Sequence, residues 1–297
     1  MDWDDLRIYL QLARSGQMTS TAKALGIDDS TVGRRIARLE TAVGLALVER
    51  AGRRTVMTEQ GRRLAETVEE LESLILRKVA GLAEDQAVVA GRVRVGAPEG
   101  FGVGYLARRL AMLSTQHPHL ETELVALPRV YSLAAREVDI AITLDRPTTG
   151  LVTSQKLTDY TLDLYGTEGY FKRRGRPKSL TDLPAHVFSG YIPELLFTEE
   201  LNFSKLGDGV EVMPSIRSSS VMAQVDAVEC GAAIGVLPTF LAGSRPLLKV
   251  LLADKIRILR SYWISVHEDV RRLHRIRTVL ESIVADVRTD KRVFLRR

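Results

Sequence analysis

Arg34, Arg35 and Arg38 stand on a short stretch whose other periodicity is apolar, with Leu25, Ile27, Val32, Ile36 and Leu39 falling on one seam. A helix with one greasy side and arginines on its other faces suits the major groove. That groove admits one helix, and its base edges and phosphates accept arginine hydrogen bonds. Similar chemistry recurs at Arg50, Arg53 and Arg54, set around Ala51-Gly52 between two short extended runs. On a hairpin these side chains would reach phosphates or the minor groove. Asp29 would accept from a cytosine amino group or repel a phosphate. Thr19, Ser30, Thr31 and Gly33 complete the expected DNA face.

No comparable constellation points to catalysis. The chain has no zinc-ligand spacing, no phosphate-cradling glycine loop ending in Lys-Ser/Thr and no Gly-x-Ser-x-Gly elbow, so no enzyme, cofactor or metal site is expected. Cys230 and His267 are a conceivable thiol and base. Cys230, however, ends a mostly apolar helix, where a small buried hydrophobe is the usual role. His117 and His119 flank Pro118 in a loop. The formal charge of +5 and pI near 9.4 suit a polyanionic partner or a mildly basic surface with none. A single cysteine excludes an internal disulfide, and no apolar run approaches the roughly 20 residues of a membrane helix. Met1 is followed by Asp2, Asp4 and Asp5 rather than by a secretory signal, so the expected location is the cytoplasm, on the nucleoid.

At 297 residues, two or more domains are expected. A first helix carries Trp3, Leu6, Ile8, Tyr9, Leu10 and Leu12 behind acidic residues that favour a helix start. Residues 18–37 read as a helix-turn-helix, with Ala22 at the close approach, Gly26 at the reversal, and Thr19 and Asp28 as caps. Two extended segments around Ala51-Gly52 read as the hairpin of a winged helix. From Thr58 to about residue 86 one long helix carries Leu64, Val68, Leu71, Leu74, Ile75, Val79 and Leu82 as an apolar stripe that needs a partner, a second copy or the downstream part of its own chain. Beyond Ala90-Gly91 the pattern changes to strand, helix (105–116), strand, helix (129–137), strand, which predicts a parallel α/β sheet. A second such unit starts near Asp163 and includes a strand at 210–216 and a helix at 221–230; a strand at 262–267 and a helix at 270–288 close the chain. In such folds ligands bind beyond the carboxyl ends of strands. That singles out Pro98, Glu99, Gly100 and Phe101, then Thr143 and Arg146, then Ser218, Ser219 and Ser220, although these serines also suit a helix cap.

The N-terminal residues resemble the DNA-binding domain of LysR-type transcriptional regulators. The pattern is carried by Ala22, Leu25, Val32, Arg34-Arg35, Ile36, Leu39-Glu40, Val43-Gly44, Leu47-Val48-Glu49-Arg50, Arg53 and Met57-Thr58-Glu59-Gln60-Gly61. Asp28-Asp29-Ser30 stands where the family commonly has Ser-Gln-Pro, and Gly33 replaces the usual serine, so the base-reading glutamine is absent. The segments 91–97, 138–142, 231–238 and 263–267 resemble the family's effector domain, which shares its architecture with periplasmic binding proteins. The resemblance implies a multidomain chain. A winged helix-turn-helix domain spans 1–59 and a linker and dimerisation helix 60–88. A two-lobed α/β effector domain spans 89–297, with lobe 1 at 89–161 and 267–297 and lobe 2 at 162–266. It further implies operator DNA as partner, a homodimer through the linker helix or a homotetramer, contact with the transcription machinery, and an effector pocket that includes Tyr191. Glu99 would compete with an anionic effector at the helix terminus that follows it, leaving a polyol, an amine, an amide or no small ligand. The alternative is a cytoplasmic solute-binding or enzymatic two-lobed domain with an accessory DNA-binding module.

Overall fold

A computed structural model describes residues 2–51, 54–83, 89–127, 133, 137–147, 152–207 and 209–295. The chain divides into two compact units, one built on residues 1–85 and one on residues 86–133, 138–268 and 274–297. Among the described residues no helix is long and apolar enough to cross a membrane.

The first unit runs α1 (Trp3–Ser15), α2 (Met18–Leu25), α3 (Asp29–Val43), β1 (Val48–Ala51), β2 (Arg54–Met57) and α4 (Glu59–Ala83). Leu6, Tyr9, Leu12, Ala22, Val32, Ile36, Leu39, Leu47 and Val68 form its core. Gly16, Gly26 and Gly44 end α1, α2 and α3 in the left-handed conformation that lacks a Cβ penalty. β1 and β2 pair antiparallel as the expected hairpin. Two caps differ from expectation. Thr19 lies inside α2, whose cap is Gln17, and Asp28 caps α3 with its backbone carbonyl, not its side chain.

The start of α4 is bolted to this core. Thr58 Oγ1 accepts from Gly61 N (2.9 Å) and donates to Ala46 O (2.8 Å), and the buried Tyr9 hydroxyl donates to Gly61 O (2.7 Å). Burial and the nearby Glu40 push the Tyr9 phenol up to about 12. Further along, Arg14 Nη2 bridges Glu69 (2.9 Å) and Glu72 (2.7 Å) of α4. Leu64 and Val68 pack on the core, whereas Leu71, Leu74 and Ile75 are 39, 46 and 45% exposed. The helix ends at Ala83; residues 84–88 of the expected linker, and the side chains of Val79 and Leu82, lie outside the described residues.

The second unit contains β3 (Gly91–Ala97) and α5, a continuous helical run over 99–116 with a π turn at Gly102–Leu106. β4 (Leu120–Ala126), β5 (Ile140–Thr143), the long β6 (Val152–Thr167) and α6 (Glu168–Arg174) follow, then β7 (Phe188–Tyr191), β8 (Ile216–Ser218) and α7 (Val221–Glu229). β9 (Ile234–Pro238), β10 (Leu248–Leu251), β11 (Ile258–His267), α8 (His274–Thr289) and α9 (Lys291–Phe294) complete it. The helix expected at 129–137 falls almost wholly outside the described residues. Among the described residues the strands make one nine-stranded sheet in the order β8-β7-β9-β6-β11-β5-β3-β4, with β10 also on β6.

Two long strands run through the middle of this sheet. β6 gives its first half to β11 and its second half to β9 and β10, all antiparallel. Trp263–Val266 of β11 also pair with Thr143–Ile140 of β5, and β6 starts eleven residues before Asp163, where the sequence pattern placed the start of the second α/β unit. The expected strand at 210–216 is also divided: Val210–Glu211 forms a separate small ribbon, and Ile216–Ser218 joins the sheet parallel to β7.

Candidate functional site

α3 buries Val32, Ile36 and Leu39 and leaves Asp29, Ser30, Arg34 and Ala37 exposed at helical spacing. Thr31 and Gly33 are half-buried at its edges, and a Cβ built on Gly33 would meet nothing within 4 Å. Thr19 is exposed on α2. Arg34 makes no hydrogen bond or ion pair among the described residues, so its guanidinium is available to a phosphate or base edge. The backbone of Arg50 and Arg54 is in the hairpin as expected; their side chains, and all of Arg53, lie outside the described residues.

Arg35 and Arg38, expected to face DNA, are engaged elsewhere. Arg38 donates from Nε to Asp5 Oδ2 (2.7 Å) and from Nη2 to Asp5 Oδ1 (2.6 Å) and Asp2 Oδ2 (2.7 Å). Arg35 Nη1 donates to Asp5 Oδ1 at 3.1 Å and to Asp2 Oδ2 at 3.3 Å. Both arginines thus tie α3 to the start of α1, and a helix-face reading could not reveal this because the partners lie 30 or more residues earlier. Burial works to raise the Asp5 carboxyl, but the hydrogen bonds and charges of Arg38 and Arg35 outweigh it and hold the group below its ordinary 3.8. A carboxylate depressed on folding adds stability that is fully present above its unfolded value and lost as pH falls through the folded one. The melting temperature of the N-terminal unit therefore falls below about pH 4 more steeply in the wild type than in Asp5→Asn, in calorimetric scans across pH 2–6. Equal slopes would remove this role for Asp5.

Glu40 is a further residue the sequence pattern contains without revealing its task. Its Oε1 accepts from Leu47 N (2.7 Å) and Val48 N (3.2 Å), which fixes the hairpin against the end of α3.

In the second unit, a narrow cavity of about 30 Å3 lies where the two crossing strands meet the loop after β3 and the N-terminus of α7. Of the residues singled out in the sequence, Pro98, Glu99, Gly100, Tyr191 and Ser219 line it. Other expected residues do not. Phe101 is fully buried, packed against Tyr105, Tyr262, Phe240 and Phe294 with ring centroids 4.7–6.5 Å apart. Thr143 donates to Asp145 O (2.7 Å), Arg146 lies over the Trp263 ring at 5.4 Å, and Ser218 Oγ accepts from Ser220 N (3.1 Å).

Ser220 is the cap of α7, accepting from Ala223 N at 3.1 Å. It also donates to Glu99 Oε1 (2.7 Å), while Val221 N donates to Glu99 Oε2 (2.9 Å). Glu99 therefore occupies the positive end of α7, besides starting α5. Gly100 permits this approach, since a Cβ there would lie 2.9 Å from Val221 Cγ1.

Leu144, Tyr160, Leu162, Phe197, Leu201 and Tyr262 also line the cavity and were missed. Tyr160 and Tyr262 stack with centroids 4.3 Å apart on the paired strands β6 and β11, a pairing across about a hundred residues that local periodicity does not encode. Burial, with lesser contributions from Tyr160 and Glu99, pushes the Tyr191 phenol far above its ordinary range. Cys230, expected buried, is exposed at the end of α7 and donates to Ala227 O.

Comparison with known proteins fits both halves. Residues 3–62 match the profile of the bacterial regulatory helix-turn-helix protein, lysR family, and residues 86–288 match the LysR substrate binding domain. The chain is 30% identical over 183 residues to the HTH-type transcriptional regulator DmlR of Escherichia coli K12, an alignment covering 61% of this chain and 59% of that protein. It is 29% identical to the Mau operon transcriptional activator of Paracoccus denitrificans, over 82% of this chain and 81% of that one. The fold is similar to that of CrgA, a LysR-type transcriptional regulator from Neisseria meningitidis, with TM-score 0.62 and 21% identity over 97% of this chain and 99% of that one. With a profile match over more than half its length and the helix-turn-helix in front of it, the chain belongs to the LysR family of bacterial transcriptional regulators.

Proposed function

We propose that this regulator grips operator DNA as a dimer joined through α4, reads the major groove with Asp29, Ser30, Thr31, Gly33 and Arg34, and answers to a small molecule held between Glu99, Tyr191 and Ser219. A homotetramer and work on the nucleoid, in contact with the transcription machinery, belong to the same reading. The observation that carries it is the exposed face of α3 with Arg34, which is unpaired among the described residues, set on a helix whose opposite side is core. One recognition helix makes too few contacts for useful specificity, which favours two heads per assembly. A ligand alters DNA affinity only by binding one arrangement of the assembly better than another, and the DNA then alters ligand affinity by the same factor.

The test separates the two kinds of arginine. Arg34→Ala lowers the slope of log affinity against log salt by about one and leaves the melting temperature unchanged, in titrations of a fluorescent operator fragment. Arg38→Ala lowers the melting temperature because it strips a partner from the buried Asp5 carboxylate. An Arg34→Ala protein with wild-type affinity and salt slope would remove α3 from the DNA interface.

A further inference from the structure

We infer that the cleft of the second unit takes a small cation, a primary or methylated amine, seated against the Glu99 carboxylate and the rings of Tyr160, Tyr191 and Tyr262; this rests on the reading of that cleft as the effector site. The charge inventory comes first. Glu99 is the single carboxylate among the described residues lining the cavity, and none of them is a lysine, arginine or histidine. Arg146, which the sequence suggests for this place, stacks on Trp263 instead. The partners of Glu99 are a neutral hydroxyl and a backbone amide, and it makes no ion pair among the described residues.

The anion seat comes second. The N-terminus of α7 is the feature that would draw a carboxylate or phosphate ligand, and the protein's own carboxylate already sits there with both oxygens used. A second anion would lose those donors and meet a like charge. An ammonium group meets the opposite charge.

The walls come third. Three phenols and Phe197 line the same cavity as the carboxylate, and the negative ring faces of such residues attract ammonium ions. At about 30 Å3, against the roughly 10–15 Å3 that one water needs on the same measure, the cavity suits an occupant of a few heavy atoms.

Full-length protein titrated with methylammonium and n-propylammonium, against propionamide and propionate at matched ionic strength, tests this by calorimetry and thermal shift. The expected result is a concentration-dependent rise in melting temperature with the ammonium probes, affinity at least tenfold above propionamide, and no shift with propionate. Glu99→Gln, which keeps an acceptor for Val221 N, loses at least tenfold in amine affinity. Tyr191→Leu loses amine affinity without touching the carboxylate, so a folding defect in one variant leaves the other to decide. Equal binding of amide and amine, preference for propionate, or amine binding undiminished in both variants overturns the assignment. If propionamide or propionate binds and Tyr191→Leu abolishes that binding, the cleft remains the effector site and only the cationic class is wrong. A protein that responds to none of the four probes overturns the cationic class and deprives the effector-site reading of its support.

Discussion

Serine in place of Leu71, Leu74 and Ile75 together is expected to render the protein monomeric and to cut operator affinity about a hundredfold or more, the range lost when two linked binding modules become independent. These side chains continue the stripe of Leu64 and Val68, but only the latter two are seated on the N-terminal core. Three large apolar groups at intermediate to high exposure on one helix form a face that water tolerates poorly. Pairing α4 with its copy would bury six such groups, at about 1 kcal/mol or more each. The substitutions leave the core contacts in place, so the head folds while the assembly falls apart. Sedimentation velocity reads the first effect and operator titration the second. A triple variant that stays dimeric with unchanged affinity would place the interface elsewhere.

Gly61→Ala is expected to destabilise the N-terminal unit by about 3 kcal/mol, at the upper end of the cost of inserting a methyl into a filled site. The new Cβ would lie 2.1 Å from the Leu47 carbonyl oxygen and 2.8 Å from the Tyr9 hydroxyl, and the nearer atom is backbone, which cannot swing away. Relief requires α4 to lift from the end of the hairpin, which breaks the Tyr9 and Thr58 hydrogen bonds that hold it. For a unit of this size such a loss lowers the melting temperature by roughly 10 °C or more. Gly33→Ala is the control. Its Cβ enters open space within a helix, so stability is unchanged or rises by up to about 1 kcal/mol. A Gly61→Ala protein that melts with the wild type would show that the hairpin end yields.

The head was legible in the sequence because its information is local. Apolar residues at helical spacing define α1 to α4, and Gly16, Gly26 and Gly44 mark the ends of the first three. What failed there was charge. Arg34, Arg35 and Arg38 look alike on a helix, and only the fold shows that Asp2 and Asp5 have claimed the last two. In the second unit, alternation revealed β3 and β4, and short apolar runs revealed β5 and β9. The polar run Thr153–Lys156 concealed the first half of β6, whose strand character comes from pairing with Trp263–Val266. The cleft was half visible. Loops after strands announced Glu99 and Ser219, whereas Tyr160 and Tyr262 reach it from mid-strand, and the bonds from Glu99 to Ser220 and Val221 span more than 120 residues.

The grip of Arg14 on Glu69 and Glu72 makes α1 and α4 move together. With its 25 residues α4 is a rod about 37 Å long at 1.5 Å per residue. A tilt of 10° at its far end would carry the reading head sideways by about 6 Å, nearly two base-pair steps of about 3.4 Å along duplex DNA. In the proposed dimer the braced helix would act as a pointer arm: small rotations between paired copies would become whole-step changes in which stretches of operator the two heads could reach at once.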